Sequence, residues 1–180
     1  MMRTVVLLAA SAWLPAAAEE CYRADAQSGS VSFEVSQAGS PFHGKFGRFG
    51  GEVCLVDGRA MRLDVWLDPA TVDAGLPEID AALKDKDFFA VDRYPRIVYT
   101  SNSVEARRST QLAHGVLEIK GKQHDLDVPF SLQREGSNPV VSGTLTLNRL
   151  EYGIGSGEWS NTQWLGGEVK VVFRATLSAK

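Results

Sequence analysis

At 180 residues, with 19 Lys and Arg against 22 Asp and Glu and a formal net charge of −3, the chain has no electrostatic footprint for nucleic acid. Apolar residues make up 44% of it, enough to bury one sizeable core and too many for a disordered chain. No linker, repeat or low-complexity stretch divides it, so one domain is expected.

The first residues carry one positive charge, Arg3, then an apolar run from Val5 to Leu14 broken only by Ser11, then Pro15 and Ala16-Ala17-Ala18. That order predicts an export signal over residues 1–18, leaving residues 19–180 as a single exported, periplasmic domain. The run is too short to span a bilayer, which takes about 20 apolar residues. Ala18-Glu19-Glu20 lacks the small and apolar neighbours of a lipidated cysteine, so Cys21 is not expected to be an anchor. Cys21 and Cys54 are the number that closes one bridge in an oxidising compartment, and a disulfide between them is preferred to two buried thiols. Cys21 is placed just ahead of the first strand and Cys54 in the second.

Further along, period-two alternation dominates. It is weak from Val31 to Val35 and from Val53 to Val56, and clear from Met61 to Asp68, where the odd positions are apolar. Between these lies Phe42-His43-Gly44-Lys45-Phe46-Gly47-Arg48-Phe49-Gly50-Gly51, whose glycines let a strand bend sharply and leave room beside the backbone. Leu76 to Phe89 is the exception: a proline early, acids in the first turn, and Ile79, Leu83 and the Phe88/Phe89 pair near helical spacing predict one short helix. Alternation returns from Ile97 to Val104, Leu112 to Ile119, Asp125 to Leu132, Val141 to Leu147 and Lys170 to Leu177. Asp57-Gly58, Gly121-Lys122 and Gly136-Ser137-Asn138-Pro139 punctuate the runs as turns. Strands with one apolar and one wet face imply an antiparallel sheet, curled into a sandwich or closed as a barrel: all-β with one short helix.

From Tyr152 to Gly167, glycines and two tryptophans alternate in what reads as a mobile loop at the mouth of a ligand cavity. No βαβ pattern surrounds it, which excludes a nucleotide-phosphate loop. Catalytic chemistry finds little support. His43, His114 and His124 fall on separate segments without metal-ligand spacing, and the pairs Asp85/Asp87 and Asp125/Asp127 suit solvated faces. No Gly-x-Ser-x-Gly occurs. The expectation is a binding protein, not an enzyme, with neither metal nor resident cofactor.

Several short blocks in order carry a resemblance. They are Phe33-Glu34-Val35, Gly44-x-Phe46-x-x-Phe49-x-Gly51, Lys86-Asp87-Phe88-Phe89-Ala90-Val91-Asp92-Arg93-Tyr94-Pro95, Gly115-x-Leu117-x-Ile119-x-Gly121-Lys122, and Leu147-Asn148-Arg149-Leu150-Glu151-Tyr152-Gly153-Ile154-Gly155. Together they are similar to the YceI-like, polyisoprenoid-binding family over nearly the whole exported chain. Ser36 to Phe42 and Gly155-Ser156-Gly157-Glu158-Trp159 resemble members associated with cytochrome b561-type membrane proteins. The resemblance implies an extended, lipocalin-like, eight-stranded antiparallel barrel with an isoprenoid lipid or quinone in an apolar tunnel. It also implies a function in carrying or storing that lipid, or beside a cytochrome b561-type partner, as a monomer or a homodimer. Alternation and resemblance together select Phe33, Phe42, Phe46, Phe49, Leu63, Val65, Ile97, Tyr99, Leu117, Ile119, Phe130 and Leu145 as tunnel lining. Leu83, Phe88 and Phe89, with Ile79, are expected over one opening, Trp159 and Trp164 at the mouth, and Arg149 with Asn148 at the lipid head.

Overall fold

The computed structural model describes residues 18–180, so the expected leader lies outside the described residues except for Ala18. The described residues fold into twelve strands, one short α-helix and two 3-10 turns. β1 (Glu19–Asp25) and β2 (Gly29–Gln37) are two halves of one interrupted strand, as are β3 (Ser40–Phe46) and β4 (Phe49–Val56). Then come β5 (Arg59–Leu67), the two-residue β6 (Val72–Asp73), α1 (Pro77–Lys84), β7 (Ile97–Arg107), β8 (Thr110–Ile119), β9 (Lys122–Glu135) and β10 (Asn138–Asn148). β11 (Leu165–Thr176) and β12 (Ser178–Ala179) are again one strand, broken at Leu177.

Every hairpin is antiparallel, and the interrupted strands close the sheet on itself. β1 pairs with β4 on one side and β12 on the other, while β2 pairs with β3 and β11. With β4–β5, β5–β7 and each later neighbour also paired, the interrupted strands merge into an eight-stranded up-and-down barrel. β6 adds a short extra edge to β3. Closure leaves almost no free sheet edge, which in an open sheet invites pairing with other chains.

The local reasons are legible. Ala38-Gly39, Asp57-Gly58 and Lys120-Gly121 all hold positive φ at both turn residues, the backbone that joins two right-twisted strands in a two-residue hairpin. β3 and β4 break at Gly47-Arg48, within the glycine-aromatic run expected to bend. β1 and β2 break where Asp25 Oδ1 accepts from the amides of Gln27 (2.9 Å) and Ser28 (3.1 Å), a side chain closing its own turn. Inward positions alternate as expected: Val128 and Phe130 on β9, and Ala175 after Phe173 on β11.

Three expectations need correcting. Cys21 lies inside the first strand, not ahead of it; the polar residues Glu19, Glu20, Arg23 and Asp25 mask that strand's alternation. Met61 is half exposed, because Cys54 faces Arg62 while Leu55 faces Ala60, leaving Met61 as the extra residue of a bulge. The helix stops at Lys84, and Phe88 and Phe89 follow in turns. Cys21 and Cys54 face each other directly across β1 and β4, Cα atoms 4.0 Å apart, and form the disulfide.

Candidate functional site

The two ends of the barrel are built differently. The turns at Asp57-Gly58, between β7 and β8, and between β9 and β10 share one end with the disulfide. The opposite end carries the connection from Asp68 to Arg96 with α1, and the loop from Arg149 to Trp164. Phe130, Leu55, Ala60, Ala113 and Leu177 are buried in the core without touching the cavity, so the turn end is packed solid. From there a cavity of about 380 Å³ runs toward the loop end, within the size range of small-molecule sites.

Its wall is the inward face of almost every strand. Val31, Phe33 and Val35 come from β2, Leu63, Val65 and Leu67 from β5, Leu117 and Ile119 from β8, and Val169, Val171 and Phe173 from β11. A row of aromatic rings follows one side: Phe42 and Phe33 with centroids 6.5 Å apart, Phe33 and Phe46 5.8 Å, Phe46 and Phe89 5.8 Å. The Phe33 ring lies where a Cβ at Gly44 would stand, so that glycine admits the ring. Tyr99 brings the one phenol: its hydroxyl reaches the carbonyls of Ala113 (3.0 Å) and Leu126 (3.3 Å), and burial pushes its pKa up to about 12. It is thus neutral and already hydrogen-bonded.

At the loop end, Glu78, Ile79, Ala82 and Leu83 put one side of α1 over the cavity. Phe88 packs against Trp159 at 5.6 Å, joining the segment after α1 to the glycine-rich loop. That loop is held, not loose. Arg149, 2% exposed, gives Nε to Gly166 O (2.8 Å), one terminal nitrogen to the carbonyls of Ile154 (2.6 Å) and Gly155 (3.1 Å), and the other to those of Trp159 (2.7 Å) and Leu165 (2.6 Å). Five N–H groups on five carbonyls use the whole donor capacity of the guanidinium. Burial lowers its pKa, and no carboxylate pairs with it among the described residues. Asp87 O accepts from the amides of Gly155 (2.8 Å) and Ser156 (3.0 Å), and Lys120 Nζ bridges Lys86 O (2.6 Å) and Gly153 O (3.0 Å).

The structure brings together seventeen of the selected residues: Phe33, Phe42, Phe46, Phe49, Leu63, Val65, Ile79, Leu83, Phe88, Phe89, Ile97, Tyr99, Leu117, Ile119, Leu145, Arg149 and Trp159 all border the cavity. Three stand apart: Phe130, Trp164 and Asn148. Phe130 belongs to the solid end, and Trp164 is 64% exposed on the outside. Arg149 borders the cavity with no N–H left to give, so the expected contact with a lipid head is replaced by a clamp on the loop. Asn148 caps the following turn through Leu150 N at 3.1 Å and does not border the cavity. Val31, Val35, Val53, Val169, Val171 and Phe173 border it without having been selected, although the alternation of β11 already placed its odd positions inward.

The family model of the YceI-like domain matches residues 22–177. A "UPF0312 protein" of Pseudomonas savastanoi pv. phaseolicola is 29% identical over 143 residues, 73% of this chain and 74% of the relative. Another, from Shewanella oneidensis, is 25% identical over 161 residues, 82% and 84% of the two chains. Among solved structures, Burkholderia cenocepacia BcnA is 26% identical with a TM-score of 0.81, covering 87% of this chain and 99% of that one. A polyisoprenoid binding domain from Saccharophagus degradans, implicated in plant cell wall breakdown, shares the fold at 16% identity and a TM-score of 0.72 over 88% and 98%. A closed barrel of this topology, an apolar interior and a family match across nearly all of the described residues agree: the chain belongs to the YceI-like family.

Proposed function

We propose that the protein binds one long isoprenoid lipid, a polyprenyl chain or an isoprenoid quinone, and carries or stores it in the periplasm without acting on it chemically. The observation that supports this most is the interior: an apolar cavity bordered by side chains from nearly every strand, with every polar donor of Arg149 and Tyr99 already engaged. Such a wall favours a ligand held by buried apolar area, at about 0.8 kcal/mol per methylene, over one held by directed polar contacts. Relatives point the same way, since the Saccharophagus degradans domain of this fold is named as polyisoprenoid binding. A disulfide fits an oxidising compartment, and no helix among the described residues is long and apolar enough to cross a membrane.

Mass spectrometry of an organic extract of the natively purified protein tests the reading. A stoichiometric prenyl lipid is expected, and its loss from Val65→Trp, which fills the cavity while leaving the barrel folded, would place that lipid inside. Lipid-free extracts and no uptake of added prenyl lipid would sink the proposal. A quinone in the extract would favour a place beside a cytochrome b561-type membrane protein, because the chain itself has no Cys-x-x-Cys-His heme site.

A further inference from the structure

The cavity reaches the surface at the loop end, between α1 and the β2–β3 hairpin. Glu78 and Ala82 of α1 are exposed, Gln37 and Phe42 of the hairpin are half-buried, and all four border the cavity. Three stretches of chain surround this mouth, and in a sequence that is 23% charged none of them carries a charge: 35–42, 74–77 and 159–167. The residues that bound them are Glu34, His43, Asp73, Glu78, Glu158 and Glu168, with no Lys or Arg among them. The fold joins the three around the hairpin. On one side Gln37 pairs with Leu165, and Ala38 N donates to Trp164 O at 2.7 Å. On the other, β6 pairs with β3 at Asp73 and Lys45 and leads straight into 74–77. Two large apolar side chains stand out of this rim without bordering the cavity: Trp164, 64% exposed, and Leu76, 54% exposed.

We infer that this rim docks on a bilayer of zwitterionic phospholipid, with Trp164 and Leu76 entering the interface so that the mouth faces the membrane. This rests on the isoprenoid reading above and adds the surface through which the lipid is loaded and released. A prenyl chain dissolves in a bilayer and not in water, so a mouth pressed to the membrane spares the chain a passage through solvent. An exposed indole suits that place, because its apolar body and wet N–H favour the headgroup level. The rim is too small for a stable protein partner. Trp164 exposes about 150 Å² and Leu76 less, against roughly 800 Å² per side in a standard protein interface. Shallow, reversible insertion needs no such area. Charge then selects the lipid. Acids bound the rim, and Lys45 on β3 is already paired with Asp73 at 3.3 Å, so anionic headgroups gain no attraction there.

The test uses the intact protein and phosphatidylcholine vesicles free of prenyl lipid, with binding read by flotation. The native protein should rise with the vesicles, and Trp164→Gln combined with Leu76→Gln should weaken its partition at least about tenfold. Brominated acyl chains should quench the native tryptophan emission, and most of that quenching should vanish in Trp164→Phe. Exchanging part of the phosphatidylcholine for phosphatidylglycerol should not tighten binding. No flotation of the native protein, flotation that needs the anionic lipid, or equal partition of the native and doubly substituted proteins would each overturn the inference. Both substituted side chains are exposed and border no cavity, so uptake of geranylgeraniol from detergent micelles should be the same in the double variant. Loss of that uptake would make them contacts of the ligand and not of the membrane, which also overturns it. Flotation of a native protein that takes up no prenyl lipid, from micelles or vesicles, would keep the docking face and sink the isoprenoid reading.

Discussion

The turn end and the loop end of this barrel use the same inward alternation for opposite purposes. At the turn end the inward side chains, Phe130, Leu55, Ala60, Ala113 and Leu177, meet and fill the space. At the loop end and along the middle they stay apart around a cavity, and backbone carbonyls held by Arg149 organise the loop in place of side-chain packing. A small barrel can be solid or hollow with the same strand pattern. Here the difference comes from what caps each end: short turns close one, while at the other a helix and a clamped loop join the hairpins Ala38-Gly39 and Lys120-Gly121.

The largest effect expected from breaking that contrast is at Arg149. Arg149→Met keeps much of the stem but leaves five carbonyls without their donor, each buried polar group costing about 1–3 kcal/mol when unpaired, less what relaxation and water recover. Loss of about 5 kcal/mol or more is expected by chemical denaturation, much of the total stability of a domain this size. A loss under 1 kcal/mol would mean that the loop folds without its clamp.

Next comes the contrast between two phenylalanines. Phe130→Ala opens a void in the solid end and should cost about 3–5 kcal/mol. Phe89→Ala enlarges an existing cavity beside Phe46, loses fewer contacts and should cost clearly less, while lowering lipid content. Equal costs in the two variants would show that the loop end is packed as tightly as the other. The disulfide comes third: it closes a 33-residue separation across β1 and β4, and its reduction should cost about 3 kcal/mol by freeing the unfolded chain. Thiol titration of denatured, unreduced protein should find no free cysteine.

The regular part of this architecture could be read from residue order, because alternation reports directly which side chains point inward. The strand runs, the bend at Gly47-Arg48 and the pairing of Cys21 with Cys54 all followed from residue types with strong local meaning. What escaped depends on partners distant in sequence. The first strand escaped because its outward residues are charged and its inward ones few, so only pairing with β4 and β12 defines it. Met61 looked inward until the bulge shifted its register by one. Arg149 is selected as a head-group ligand through the Asn148-Arg149 block of the family resemblance; its acceptors are carbonyls up to 17 residues away, which no pattern announces. Phe130 and Phe33 both occupy inward strand positions, and only the three-dimensional level along the barrel separates a plug from a wall.

The smallest effect expected is a pH dependence near the turn end, on the outer wall. His114 on β8 places Nδ1 2.7 Å from Asp127 Oδ1 on β9 and Nε2 3.5 Å from Glu105 Oε2 on β7, so it ties three strands where the wall surrounds Phe130. The hydrogen bond to Asp127, ahead of a smaller opposing desolvation, raises its pKa above the ordinary 6.5. A group whose folded pKa is raised binds its proton more tightly in the folded state, so its contribution to stability is fully present below pH 6.5 and fades as pH rises through the folded value. The ring is solvent-exposed enough for salt to screen the pair, which keeps the effect small. Unfolding midpoints of the native chain and of His114→Gln should therefore differ at pH 5.5, converge by pH 8.5, and draw together at pH 5.5 in high salt. A His114→Gln difference that grows with pH would reverse the sign argued here. It would then be the neutral ring, donating a single hydrogen bond to Asp127, that holds the three strands together.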